Sequence, residues 1–78
     1  MNSLENLGRT QIERLVDEWI VGYANCERDR AILKRRLLDG VLFEPLAEEF
    51  DLSVRAVQAI VYRGVEKISR KNLDNSTK

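Results

Sequence analysis

Seventy-eight residues, 44% of them hydrophobic and 33% charged, are enough for one small helix-rich soluble domain with a single modest core. Thirteen cations balance thirteen anions, there is no histidine, and Cys26 is the only cysteine. An intramolecular disulfide is therefore excluded, and neither a metal site nor another cofactor is expected within one chain. No apolar run approaches the length of a membrane span, and the opening MNSLENLGRT lacks the basic start and apolar stretch of a signal peptide, which together point to a bacterial-type cytoplasm.

In chain order, residues 1–9 read as a flexible start. The run Thr10, Gln11, Ile12, Glu13 has the form of a capping box, in which the threonine hydroxyl and the glutamate carboxylate each satisfy an orphan amide. Behind it Ile12, Leu15, Val16, Trp19, Ile20 and Tyr23 keep a helical rhythm, and Gly22 with Asn25 places the helix end near Tyr23 or Ala24. Trp19 and Tyr23 on that stripe are read as core rather than as a binding site, or as a dimer surface if the stripe stays uncovered. Asn25 is placed to cap a second helix that runs to Leu38 and stops at Asp39 and Gly40. Ile32, Leu33 and Leu37 on one side, with Ala31 and Leu38 on another, mark it as a central helix. Its basic cluster of Arg30, Lys34, Arg35 and Arg36 suits the helix dipole; some of the four can also touch a DNA backbone, but for any one of them a solvated or salt-bridged role is the simpler reading.

The segment FEPLAEEFDLSVRAVQAIVY, residues 43–62, carries the spacing of a helix-turn-helix. A third helix starts between Leu42 and Glu44, with Pro45 tolerated in its first turn, and ends at Phe50. Leu46, Ala47 and Phe50 give it one apolar side, and Ala47 stands where the two helices approach most closely. Asp51 takes the tight-turn position. Ser53 can cap a fourth helix over residues 54–70, whose Val57, Ile60, Val61, Gly64, Val65 and Ile68 fall in one arc facing the core. Residues 72–78 are polar and read as a disordered tail. The fold class that results is all-α, a small four-helix domain over residues 10–71 whose helix-turn-helix is C-terminal.

The opposite arc of that last helix holds Arg55, Gln58, Ala59, Tyr62 and Glu66, with Arg63 at its edge. A helix that enters the major groove of duplex DNA meets base edges with its N-terminal residues first. Arg55 can donate a fork to guanine O6 and N7, Gln58 can pair with adenine, and Ala59 suits a thymine methyl. Val54 and Tyr62 complete this base-reading face, and Tyr62 is long enough to touch a sugar or phosphate. Ser53, Arg63 and Lys67 lie toward the DNA backbone. Charge alternates strongly: three cations and six acids over residues 1–29, four cations and no acid over 30–38, five acids and no cation over 39–51, and six cations against two acids over 52–78. The base-reading helix thus lies on a basic segment, as contact with phosphate requires.

About half the chain and more, from Glu27 to Arg70, resembles the promoter-reading region-four domain of bacterial sigma factors. The resemblance is carried by Arg28 to Leu33 (RDRAIL), Arg36 to Gly40 (RLLDG), Glu44, Leu46 to Phe50 (LAEEF), Leu52, Ser53, Val57, Ile60 and the basic end Lys67 to Arg70. It implies that Val54, Arg55, Gln58 and Ala59 read DNA, with Arg63 and Lys67 nearer the backbone. Val54 and Ala59 stand where sigma factors commonly carry long polar readers, so the consensus promoter element is not the implied target. Leu42 and Phe43 stand where a capping threonine is usual. Nothing resembles the larger sigma region that binds core polymerase, so the likeness is to a free-standing domain, as in small phage or mobile-element regulators. The DNA-binding domain of LuxR-type response regulators has similar helices.

Two functions of different kind follow. The first is sequence-specific binding of double-stranded DNA in transcription regulation, as a homodimer on paired half-sites or docked beside RNA polymerase, since one such domain covers little DNA. The second is a protein-interaction module of the same fold that binds RNA polymerase or a regulator, a reading motivated by the balanced charge and the acidic stretch from Asp39 to Asp51. Enzymatic action is not expected: there is no histidine, Gly-rich phosphate loop or paired carboxylate in a plausible cleft, hence no catalytic residue and no small-molecule substrate. Cys26 at a helix start reads as a half-buried small residue.

Overall fold

A computed structural model describes residues 7–76 of the chain, with side chains through residue 70. Residues 1–6 of the expected flexible start and residues 77–78 of the expected tail lie outside the described residues. Four helices follow in order, α1 (Arg9–Trp19), α2 (Cys26–Asp39), α3 (Phe43–Phe50) and α4 (Val54–Ser76), with no strand among the described residues. α4 packs against the other three, and α2 lies between α1 and α3. The core is one cluster: Ile12, Val16 and Ile20 from the first segment, Ile32 and Leu33 from α2, Leu46 and Ala47 from α3, and Val57, Ile60, Val61 and Ile68 from α4. The apolar arc expected for the last helix is thus the face it buries, with Val65 half-buried at its margin.

Where α2 meets α4, Gly64 omits a side chain that would crowd Leu33. A Cβ built there would stand 2.5 and 2.8 Å from the two Leu33 methyls, and Leu33 is fully buried. Glycine costs a helix interior roughly 1 kcal/mol relative to alanine. The close approach of the two helices offsets that cost.

Several local expectations give way to longer-range contacts. α1 begins at Arg9 with Gly8 as its N-cap and no side-chain cap, so Thr10 is already helical and the capping box does not form. Arg9 instead donates to the Leu38 carbonyl and the Asp39 carboxylate, both at 3.0 Å, tying the start of α1 to the end of α2. α1 ends at Trp19, earlier than the apolar rhythm indicates, because the chain turns back through Gly22 (φ +88°) and Asn25 (φ +67°). Ile20 still reaches the core after the helix has ended, but Tyr23 is swung outward and is 45% exposed, which corrects its reading as core. Asn25 holds the N-cap position of α2 in a left-handed conformation, from which its side chain makes no capping bond. Gly40, also left-handed, ends α2, and the Gly40 and Val41 amides both return to the Arg35 carbonyl. α4 continues to Ser76, beyond the Arg70 end that the apolar pattern indicates.

Off the end of α1, the Tyr23 hydroxyl donates to Asp29 Oδ2 at 2.9 Å, and Arg28 pairs with the other carboxylate oxygen of this buried residue. Burial and the Asp29 carboxylate that accepts from it push the Tyr23 hydroxyl from 10 up to about 12. An unfolded tyrosine ionises near 10, so the folded chain holds the extra proton between about pH 10 and 12. The contribution is intact below pH 10 and is lost as pH rises toward 12. The melting temperature should fall more steeply across that window for the natural chain than for Tyr23→Phe, which has no hydroxyl to ionise; parallel curves would show that Tyr23 carries no such linkage.

Candidate nucleic-acid interface

The joint between α3 and α4 sets which side of α4 meets water. Leu46 and Ala47, on the buried side of α3, brace Val57 and Ile60 in the same core. Asp51 closes α3 in the left-handed region (φ 56°, ψ 47°). Its amide returns to Glu48 O, while the Leu52 amide returns to Ala47 O at 2.9 Å, so the chain reverses within two residues. Leu52 tucks against the core and Ser53 opens the next helix, its hydroxyl accepting from the Ala56 amide at 3.1 Å. Ser53→Ala should therefore lower stability by about 0.5–2 kcal/mol, read as a shift in the urea midpoint with unchanged slope. No shift would mean that water caps the helix equally well.

With the core side fixed, Val54, Arg55, Ala59, Tyr62, Arg63 and Lys67 are all exposed, and Gln58 is half-buried at the edge of the same face. The structure therefore brings the expected base-reading residues onto one side of one helix. Ser53 stands exposed at its start, with its hydroxyl engaged as the cap. Two of these side chains have partners that local spacing does not reveal. Tyr62 meets Phe43 of α3 edge-on, with ring centroids 6.1 Å apart, and Lys67 Nζ lies 6.0 Å over the Tyr23 ring. Tyr62 nevertheless remains 61% exposed.

Five of the eleven cations whose side chains are described are answered by carboxylates of the chain itself, among them Arg28, which pairs with Asp29. Arg9 pairs with Asp39, Lys34 with Asp17 on α1, Arg35 with Glu49 on α3, and Arg70 with Glu66 one turn back. Arg30 donates to the Ile20 carbonyl at 2.8 Å and to the Cys26 sulfur at 3.6 Å, so it closes the turn between α1 and α2. Burial opposes ionisation of the Cys26 thiol, but backbone hydrogen bonds from Tyr23 and Gly22 and the Arg30 guanidinium outweigh it and hold the pKa below the ordinary value. The basic cluster of α2 is thus largely internal wiring. Arg55, Arg63 and Lys67 on α4 have no carboxylate partner among the described residues. Sequence spacing alone does not separate these two kinds of cation, because the partners of Lys34 and Arg35 lie on other helices.

Among the described residues no group of three or more histidine, cysteine or acidic side chains could hold a metal ion, and no helix is long and apolar enough to cross a membrane. No family model, curated protein or solved structure matches this chain.

Proposed function

We propose that this chain binds double-stranded DNA sequence-specifically through the exposed face of α4, as a small regulator of transcription similar to a free-standing sigma region-four domain. The observation that carries the reading is the unpaired Arg55, held beside Gln58 on the first two turns of a helix that α3 braces from behind. An arginine without an internal partner keeps its full fork of donors for an outside acceptor, and guanine O6 and N7 match that fork. Gln58 adds an amide for adenine, while Val54 and Ala59 offer apolar contacts suited to thymine methyls. Arg63 and Lys67, one and two turns further along, suit phosphates, and no catalytic role is assigned. Homodimerisation on paired half-sites or docking beside RNA polymerase, in a cytoplasmic setting, belongs to the same proposal.

Selection of binding sites from a random duplex pool tests it. A short enriched motif is the expected outcome, with log K falling against log salt at a slope of roughly −3 to −5 for four or five neutralised phosphates. Recovery of no motif, with no retained duplex at low salt, rejects it.

A second reading, a protein-interaction module that docks RNA polymerase or a regulator, draws on a separate feature. An apolar groove of about 380 Å³ opens between α2, α3 and α4 beside Phe43 and Val65, next to the exposed Leu42. Under that reading a charge placed at Val65 abolishes partner capture and Arg55→Ala leaves it intact. The DNA reading expects the reverse for duplex binding.

A further inference from the structure

We propose that the cleft between the α1–α2 turn and the middle of α4 binds a small phosphate monoester with a ring in its organic body, and that this ligand displaces DNA by occupying Arg63 and Lys67. The binding stands on the cleft alone. The displacement rests on the DNA-binding reading.

The cleft holds about 390 Å³, within the roughly 300–1,000 Å³ of small-molecule sites and more than a bare phosphate fills. Leu33, Ile60 and Gly64, all buried, form its floor. The Tyr23 ring, turned out of the core, makes one wall. Cations make the others: Arg28 near the start of α2, and Arg63 with Lys67 one turn apart on α4. Lys67 Nζ lies 6.0 Å over the Tyr23 ring, and the Arg63 guanidinium is near enough to the Tyr23 hydroxyl to offset part of the rise in its pKa. The charges of α4 thus gather around one aromatic side chain at the cleft.

Charge decides the class of ligand. Asp29 is the one acid lining the cleft among the described residues, and it is buried. Both its oxygens are engaged, Oδ2 by the Tyr23 hydroxyl at 2.9 Å and Oδ1 by Arg28 Nε at 3.1 Å and Nη2 at 3.0 Å. That pairing holds Tyr23 and Arg28 in place and leaves the Arg28 Nη1 donors for an outside oxygen. Arg28 answers Asp29, so Arg63 and Lys67 leave the cleft with two positive charges in excess. A phosphate monoester brings about −1.5 to −2 at pH 7 and three acceptor oxygens, which matches that excess. A monocarboxylate supplies half of it. A ring on the ester then lies against Tyr23 and the apolar floor. Arg63 and Lys67 are also the side chains assigned to DNA phosphates, and a phosphate held between them in the cleft neutralises both. Ligand and duplex therefore exclude each other.

The test titrates the full chain by calorimetry with AMP, phenyl phosphate, adenosine and inorganic phosphate, then repeats the duplex titration with AMP present at constant ionic strength. The two esters are expected to saturate one site. Adenosine lacks the charge and inorganic phosphate lacks the ring, so each should bind at least about tenfold more weakly. Arg63→Gln should weaken AMP binding by about 10- to 150-fold, the loss of a charge-assisted hydrogen bond. Ala24 lines the cleft from the turn and is not assigned to DNA, so Ala24→Trp should fill the site, abolish AMP binding and keep the natural duplex affinity. Circular dichroism melts check the fold, and if Ala24→Trp is unfolded, Ala24→Leu replaces it. With AMP at about ten times its dissociation constant, duplex affinity should fall about tenfold for the natural chain and stay constant for the filled variant. If neither ester saturates, or if inorganic phosphate binds as tightly as AMP, the site is overturned whether or not duplex binds. AMP binding with unchanged duplex affinity overturns the displacement. A chain that binds AMP and no duplex keeps the site and rejects the DNA reading, and the displacement with it.

Discussion

Leu33→Ala is expected to destabilise the domain by about 2–5 kcal/mol, a large part of the roughly 5–10 kcal/mol that holds a chain of this size together. Leu33 is fully buried and fills the space that Gly64 leaves open, so its removal leaves a cavity that two close helices cannot collapse into. Gly64→Ala probes the same contact from the other side. Alanine favours the helix by roughly 1 kcal/mol, but its Cβ would sit 2.5 Å from a Leu33 methyl, and overpacking of that kind costs about 1–3 kcal/mol. The single change should therefore be neutral to destabilising. In the double variant the new methyl enters the space Leu33 vacated, so the loss should be smaller than the sum of the two single losses. Urea midpoints followed by circular dichroism measure all three. Strict additivity would show that the two positions do not meet.

That pair also shows how far the sequence could be read. The apolar spacing of residues 54–70 assigns Gly64 to the buried arc of the last helix, and the structure agrees. Spacing has no means of indicating that Leu33 is what fills the gap, because that partner is 31 positions away. The helix-turn-helix was the most legible part, since its signals are local: Pro45 in a first turn, a left-handed Asp51, and Ser53 capping the Ala56 amide. The first helix was the least legible. Its capping box was locally valid, but the Arg9 contacts to Leu38 and Asp39 act over about thirty positions, and the helix starts at Arg9 with Thr10 inside it. Tyr23 followed the apolar rhythm of α1, yet the reversal through Gly22 turned it out to meet Asp29. The candidate interface divides the same way. The exposed side of α4 follows from its buried side, whereas the Phe43–Tyr62 contact depends on where α3 and α4 converge.

Arg55→Ala carries the largest expected functional effect. Arg55 is exposed and has no ion-pair partner among the described residues, so its truncation should change stability by no more than about 0.5 kcal/mol. Any loss of binding is then a loss of contact with DNA rather than of fold. A bidentate arginine–guanine contact is worth about 1–3 kcal/mol, so affinity for the selected duplex should fall by roughly 5- to 150-fold, with preference relaxed at one base pair. Arg55→Lys should recover the electrostatic part and little of the selectivity, because an ammonium is a point charge and cannot present two parallel donors. Lys67→Ala supplies the contrast, a uniform weakening on every sequence with a shallower salt slope. The decisive quantity is the position-by-position preference of Arg55→Ala, measured by repeating the selection with the variant. If that preference matches the natural protein's at every base pair, Arg55 is not a reader and the first turn of α4 does not enter the groove.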